Sequence, residues 1–237
     1  MTYKRKKISV VMPAYNEEKA IYGVVKNFSK PYVDEIIVVD NNSTDKTAAL
    51  ASKAGAKVLS EKKQGYDFAV LKGLKKAKGN IIIITESEGT FVGNDMMKLL
   101  KYVDDADMVL GTRTCKELVD KDANMGLFLR WGNIFVAKIL QLVYGGMRLT
   151  DVGCTFRAIK KEALKKIIDI FPSYIKGSYL CSGMIMDALK ADLKVVEIPV
   201  HYRKRIGVGK ITSSGNWRAF TLGLEILFNI FKKKFSD

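Results

Sequence analysis

Ile36-Ile37-Val38-Val39-Asp40-Asn41-Asn42-Ser43-Thr44-Asp45 places four consecutive β-branched apolar residues directly before a polar, acidic loop. A run with no polar alternate position is the pattern of a strand buried on both faces, as in a parallel sheet. The same arrangement recurs where Ile81-Ile82-Ile83-Ile84-Thr85 runs into Glu86-Ser87-Glu88, and where residues 8–12 run into Pro13-Ala14-Tyr15-Asn16-Glu17. Helical patterns fill the intervals, over about residues 18–28, from a Ser43 or Thr44 cap to about Lys53, over residues 67–78 between Gly65 and Gly79, and over residues 95–102. Residues 57–59 and 108–110 read as the third and fifth strands. Strand and helix alternating in this way predict a doubly wound α/β fold.

In open α/β sheets, ligands sit beyond the carboxyl ends of the strands. Two clusters of carboxylates fall there. The loop from Asp40 to Asp45 offers acids, amides and hydroxyls that can hydrogen-bond a base or ribose, and the helix after it favours anionic groups. An ordinary strand-to-helix turn would carry similar residues. Glu86 and Glu88 stand at i and i+2, which lets both face one way. Mg²⁺ or Mn²⁺ takes one or two carboxylates and completes its shell with substrate phosphates. A nucleotide-activated substrate with a divalent cation is therefore the expected ligand.

The chain has 237 residues, enough for one substantial core, and 48 % are hydrophobic, which disfavours disorder. Lysine and arginine total 40 against 25 acids, a net charge of +15. That surplus points to anionic partners: nucleic acid, lipid headgroups or phosphorylated substrates. Nucleic acid ranks low, because the charge is scattered and no recognition-helix or RNA-binding motif is present. Cys115, Cys154 and Cys181 show no paired spacing, and His201 is the single histidine. This excludes a disulfide framework, a Cys/His zinc site and a triad needing a second histidine. The basic start at residues 1–7 is followed by too short an apolar run for a signal sequence. No uninterrupted apolar stretch of about 18–20 residues is found, so the expectation is a protein without a transmembrane helix.

Past Gly111 the pattern changes. Residues 112–124 are polar and turn-rich and read as a mobile loop, and residues 127–144 form a strongly apolar helix with Arg130, Asn133, Lys138 and Gln141 as its main polar positions. From Trp217 to Phe235, Trp217, Phe220, Leu224, Leu227, Phe228, Phe231 and Phe235 recur at helical spacing, and Lys232-Lys233-Lys234 close the segment. An aromatic face beside a lysine cluster suits the surface of an anionic membrane; docking on the core or on a second subunit fits the pattern equally.

An ordered set of segments carries a resemblance. Residues 10–18, 36–47 and 65–79, with Glu86-Ser87-Glu88, are similar to family 2 glycosyltransferases of the GT-A fold. Gly111-Thr112-Arg113, Arg130-Trp131-Gly132-Asn133, the run from Thr150 to Arg157, Glu197-Ile198-Pro199-Val200 and the run from Arg205 to Lys210 resemble the dolichol-phosphate mannose synthase branch. The resemblance implies a Rossmann-like mixed sheet flanked by helices over residues 1–211, with residues 212–237 as an amphipathic appendage. It also implies inverting transfer of a hexose from a nucleotide-sugar to polyprenyl or dolichyl phosphate at the cytoplasmic face of a membrane. GDP-mannose is the first donor expected, with UDP-glucose and UDP-N-acetylglucosamine next.

By the same resemblance Pro13, Tyr15, Glu17, Asp40 and Asn42 hold the nucleoside, and Glu86 and Glu88 hold the Mg²⁺ or Mn²⁺, Glu88 more closely. A lipid phosphate is already an oxyanion and needs orientation and charge balance rather than a general base. Arg113, Arg130, Arg205 and Lys210 are the expected phosphate ligands, with Arg157 a further candidate; Glu88, Arg113, Arg130 and Arg205 are the expected catalytic set. The chain departs from the family pattern at several points. Glutamates replace the metal-site aspartates, Asn41 stands where aspartate is common, Asp67 where glycine is common, and Ser182-Gly183-Met184 where a glutamate is frequent. A hydroxyl acceptor would need a general base, a role left here to Asp151 or Asp187.

Overall fold

The structure, a computed structural model, describes residues 3–171, 180–207 and 215–235. Three parallel βα units open the chain: β1 (Ile8–Ala14), α1 (Ile21–Phe28), β2 (Glu35–Asp40), α2 (Thr47–Lys53), β3 (Lys57–Ser60) and α3 (Tyr66–Lys76). Next come β4 (Ile81–Ile84), α4 (Met96–Tyr102), β5 (Met108–Thr112), α5 (Leu127–Tyr144), β6 (Arg157–Lys160), α6 (Lys161–Ile167), α7 (Leu180–Lys190), β7 (Val195–Pro199) and α8 (Gly215–Phe235). The seven strands form one sheet in the order β3-β2-β1-β4-β6-β5-β7. β6 runs antiparallel to β4 and β5, and the other neighbours are parallel. The expected α/β class is present, and the antiparallel strand makes the sheet mixed.

The unbroken apolar runs are explained by burial on both faces. Every residue of β1 and β4 is buried. Along the strands, alternate side chains enter two cores. Val11, Ile37, Val39, Ile82 and Ile84 join a core containing residues of α3, α5 and α7. Val10, Met12, Ile36, Val38, Ile81 and Ile83 join the other, with residues of α1 and α4. α3 lies close on the sheet: a methyl group at Gly73 would come 2.4 Å from Val11 Cγ1 and 3.1 Å from Val39 Cγ2.

Two expectations are corrected. α2 is not capped by Ser43 or Thr44; it begins at Thr47, whose amide donates to Asp45 Oδ1 at 2.9 Å. Ser43 and Thr44 bind Asn16 instead. Residues 112–124 are tied down rather than loose: β5 extends to Thr112, a 3₁₀ turn spans Lys116–Leu118, and Val119 forms a bridge with Tyr202. α5 has the expected bounds, and among the described residues it is the one helix long and apolar enough to cross a bilayer, with Arg130, Asn133, Lys138 and Gln141 interrupting its apolar run. α5 packs along α8 and against α7.

α8 has two apolar faces where the sequence showed one. Ile226 and Ile230 are buried in the first core, with Leu222 and Leu227 packed on it. Trp217, Phe220, Leu224, Phe228, Phe231 and Phe235 remain exposed. Of the three terminal lysines, Lys233 turns inward to Asp187 of α7 at 2.5 Å. Burial pulls its pKa down, and the Asp187 carboxylate partly opposes this.

Gly73→Ala is expected to destabilise the protein by about 1–3 kcal/mol through overpacking against a stiff β-branched side chain. Urea unfolding measures the loss, and adding Val11→Ala should recover part of it.

Candidate active site

Parallel register brings the carboxyl ends of three strands together, with Ala14 of β1 beside Asp40 of β2, and Val11 beside Ile84 of β4. The loops leaving these strands are cross-linked by their own polar groups. Asn16, at φ 53°, accepts the Thr44 amide at 2.8 Å, while its own amide donates to Ser43 Oγ at 3.0 Å. The Glu17 amide donates to Thr47 Oγ1 at 2.7 Å. The Glu17 carbonyl accepts from Ala20 and Ile21 at 3.0 and 2.9 Å and opens α1. Ser87 Oγ donates to the Pro13 carbonyl at 2.7 Å, which joins the Glu-Ser-Glu loop to the end of β1.

Pro13, Tyr15, Glu17, Asp40 and Asn42 therefore occupy one edge. Glu17 and Asp40 are nearly buried, Tyr15 is partly exposed, and Asn42 is exposed at a left-handed φ of 67°. Asn41 has turned to another task. Its amide nitrogen donates to the carbonyls of Glu61 and Lys63 at 3.0 and 2.8 Å, and its oxygen accepts the Gly65 amide at 2.8 Å. An aspartate could not donate these bonds.

Glu86 and Glu88 meet different partners. Glu86 Oε2 accepts from Thr90 Oγ1 at 2.9 Å. Glu88 is ion-paired to Arg205, whose second terminal nitrogen pairs with Glu17. One guanidinium thus spans two carboxylates from separate strand ends. Among the described residues no three His, Cys, Asp or Glu side chains converge as a metal cluster. The carboxylate oxygens of Glu86 and Glu88 still fit a hard cation such as Mg²⁺ or Mn²⁺, provided that substrate phosphates supply further ligands.

The Arg113 side chain is mostly buried, 13 % exposed. Its Nε and Nη2 donate to the two oxygens of Asp151 at 2.8 and 2.9 Å, and its backbone amide reaches Asp151 at 3.1 Å. Its guanidinium lies 5.2 Å from the centre of the Tyr202 ring. Burial pushes the Asp151 carboxyl up, but the Arg113 charge and the hydrogen bonds outweigh burial and hold it below its ordinary value. Glu197 of β7 accepts the amides of Thr150 and Asp151 at 2.9 Å each and the Thr150 hydroxyl at 2.7 Å, which fixes the loop that carries Asp151. A methyl group on Gly153 would lie 3.1 Å from Arg113 Nη2 and 3.2 Å from Asn133 Oδ1, so α5 approaches this pair at Asn133.

Arg130 lies one turn earlier on α5, and its buried Nε has no hydrogen-bond partner among the described residues. Arg157 is withdrawn from any phosphate role: it is 1 % exposed and donates to the carbonyls of Cys181 and Cys154. Lys210 lies outside the described residues. Asp151 and Asp187, the alternative bases, are both paired with cations. The Glu197–Thr150–Asp151 support was not anticipated, because nothing in the spacing links residues 150 and 197; β7 lying beside β5 does.

Acidic strand ends on a mixed Rossmann-like sheet, two of their carboxylates bridged by Arg205 of a later loop, are the arrangement of a GT-A glycosyltransferase. Residues 9–168 match the model of glycosyl transferase family 2, and the chain belongs to that family. An uncharacterised protein of Methanocaldococcus jannaschii is 34 % identical, over 96 % of this chain and 92 % of its own. A UDP-N-acetylglucosamine–dolichyl-phosphate N-acetylglucosaminyltransferase of Methanococcus voltae is 30 % identical, over 82 % of this chain and 85 % of its own, consistent with the dolichol-phosphate branch. Among solved structures, glucosyl-3-phosphoglycerate synthase of Mycobacterium tuberculosis, in complex with Mn²⁺, UDP and phosphoglyceric acid, is similar in fold. Its TM-score is 0.72 at 18 % identity, over 99 % of this chain and 80 % of that one.

Asp151→Asn should destabilise the protein by about 3–5 kcal/mol by leaving Arg113 buried without its counter-charge. Because the folded Asp151 pKa is depressed, its contribution is complete above the unfolded value of about 4 and is lost as pH falls through the folded value. The gap between variant and wild type in denaturant melts should therefore narrow below about pH 4.

Proposed function

We propose that this chain transfers a hexose or N-acetylhexosamine from a nucleoside-diphosphate sugar to a polyprenyl phosphate, with inversion, at a membrane surface. The observation that carries this reading is Arg205 of a later loop spanning Glu17 and Glu88 at the carboxylate-lined strand edge, in a fold whose helix α5 is apolar on its outside. The outer face of that helix exposes Leu127, Phe128, Trp131, Phe135 and Leu142.

In this reading Pro13, Tyr15, Glu17, Asp40 and Asn42 hold the nucleoside, with Asn41 fixing the adjoining loop of residues 61–65. Glu86 and Glu88 hold a divalent cation, which when bound supplies Lewis-acid neutralisation of the departing diphosphate. Arg130 and Arg205 each keep a buried Nε–H with no hydrogen-bond partner among the described residues and can turn donors toward an acceptor phosphate. Arg113, fixed by Asp151, is proposed as a further positive charge for that phosphate. Lys210 is proposed for the same phosphate by resemblance.

A phosphate nucleophile needs no deprotonation, whereas a hydroxyl acceptor does. The locking of Asp151 and Asp187 in ion pairs favours the phosphate. The M. voltae relative's name specifies a UDP donor and dolichyl phosphate, which moves UDP-N-acetylglucosamine and UDP-glucose ahead of GDP-mannose.

The exposed faces of α5 and α8 support the membrane. Among the described residues, eleven large apolar side chains are exposed on these two packed helices, flanked by exposed Lys138, Lys232 and Lys234. Apolar area with lysines at its rim fits the interface of an anionic bilayer. We place the chain there peripherally, on the cytoplasmic side, with residues 1–211 as the catalytic unit and α8 as part of the docking face.

Purified protein incubated with Mn²⁺, polyprenyl phosphate and radiolabelled UDP-N-acetylglucosamine, UDP-glucose or GDP-mannose should yield a sugar-labelled lipid. Glu88→Ala should lower the rate by about 10²-fold or more. Absence of labelled lipid with every donor would refute the proposal. Trp131→Glu or Phe228→Glu should each weaken sedimentation with anionic vesicles by about tenfold, and high salt should weaken it further.

A further inference from the structure

Arg205 presents a conflict that the proposed function must resolve. Its guanidinium already pairs with Glu88, the acid expected to lie nearest the cation, and with Glu17 on the nucleoside side. The side chains of Glu17, Glu88 and Arg205 are 8, 18 and 20 % exposed, so little water screens them. The contact is built by the backbone as well. The Arg203 amide donates to the Thr90 carbonyl at 2.8 Å, and the Ile206 amide to the Glu88 carbonyl at 2.9 Å. These bonds lay the segment along the Glu-Ser-Glu loop. Ile206 sits over Gly89, whose φ of 83° disfavours other residues and where a methyl group would come 2.8 Å from Ile206 Cδ1. Tyr202 anchors the near end, its carbonyl accepting the Asp120 amide and its amide donating to the Leu118 carbonyl at 2.9 Å each.

Charge governs the order in which ligands can enter. Glu17 and Glu88 bring two negative charges and Arg205 one positive charge to the same place. A divalent cation arriving alone would meet a guanidinium on its carboxylate and be repelled. A nucleoside diphosphate arriving with the cation brings enough negative charge to engage both the ion and the displaced guanidinium.

We propose that Arg205 is a resident counter-cation at the divalent-ion position, so that the ion enters only with the nucleoside diphosphate and Arg205 is released from Glu88 as it does. The inference rests on the nucleotide-sugar reading and adds an order of binding to it. Coupling of this kind is reciprocal: each ligand tightens the other.

Mn²⁺ binding to the full chain, followed by electron paramagnetic resonance of the free ion with and without UDP or GDP, tests this without measuring turnover. Wild type should bind Mn²⁺ weakly alone and more tightly with nucleotide. Arg205→Gln should bind Mn²⁺ alone about tenfold or more tightly than wild type, with a smaller nucleotide effect. Arg205→Lys, which cannot fork across both acids, should gain a few-fold and serves if the glutamine variant does not fold. Unchanged or weaker Mn²⁺ binding in a folded variant, with nucleotide-dependent binding intact in wild type, overturns the counter-cation role alone. No Mn²⁺ binding by wild type even with nucleotide overturns the nucleotide-sugar reading and the role together.

Discussion

Parallel pairing of β1 between β2 and β4 is the constraint on which the other features depend. A strand covered on both faces and paired on both edges has no freedom to slip, because a one-residue shift would exchange its two cores. Val11 and Ile37 on one face, and Val10 and Ile36 on the other, hold that register. Three loops therefore leave the sheet side by side, and Glu17, Asp40 and Glu88 are gathered at one edge by the same packing that stabilises the core.

Electrostatic commitments then divide the charged residues by role. Arg113 and Arg157 are held by Asp151 and by backbone carbonyls respectively, a use of arginine that fixes loops. Arg205 sits at the boundary between structure and site: its partners are acids that a substrate complex is expected to claim, and its segment lies on the loop that carries one of them. Glu197 works from further back, holding the loop that holds the arginine. Burial raises the Glu197 carboxyl pKa against the pull of those hydrogen bonds, so this support is built from a costly group and depends on all its donors being in place.

The two long apolar helices show how one element serves two surroundings. α8 buries Ile226 and Ile230 against the domain and leaves its aromatics outside, and α5 buries Val136, Ala137 and Leu140 while Leu127, Phe128, Trp131, Phe135 and Leu142 remain exposed. Lys233 illustrates the same division on a smaller scale, since it leaves the terminal lysine cluster to neutralise a buried aspartate.

Sequence periodicity determined the alternating elements, the buried strands, the position of α5 and the acidic loops at the strand ends, because burial on two faces and helical spacing leave a local record. Only tertiary structure decided which acids share a cation, that Asn41 clamps a loop, that Asp151 belongs to Arg113, and that β6 runs against its neighbours. Those facts join residues separated by tens to nearly two hundred positions. No local pattern encodes such a pairing, because the energy that selects it arises only when the folded sheet removes both partners from water.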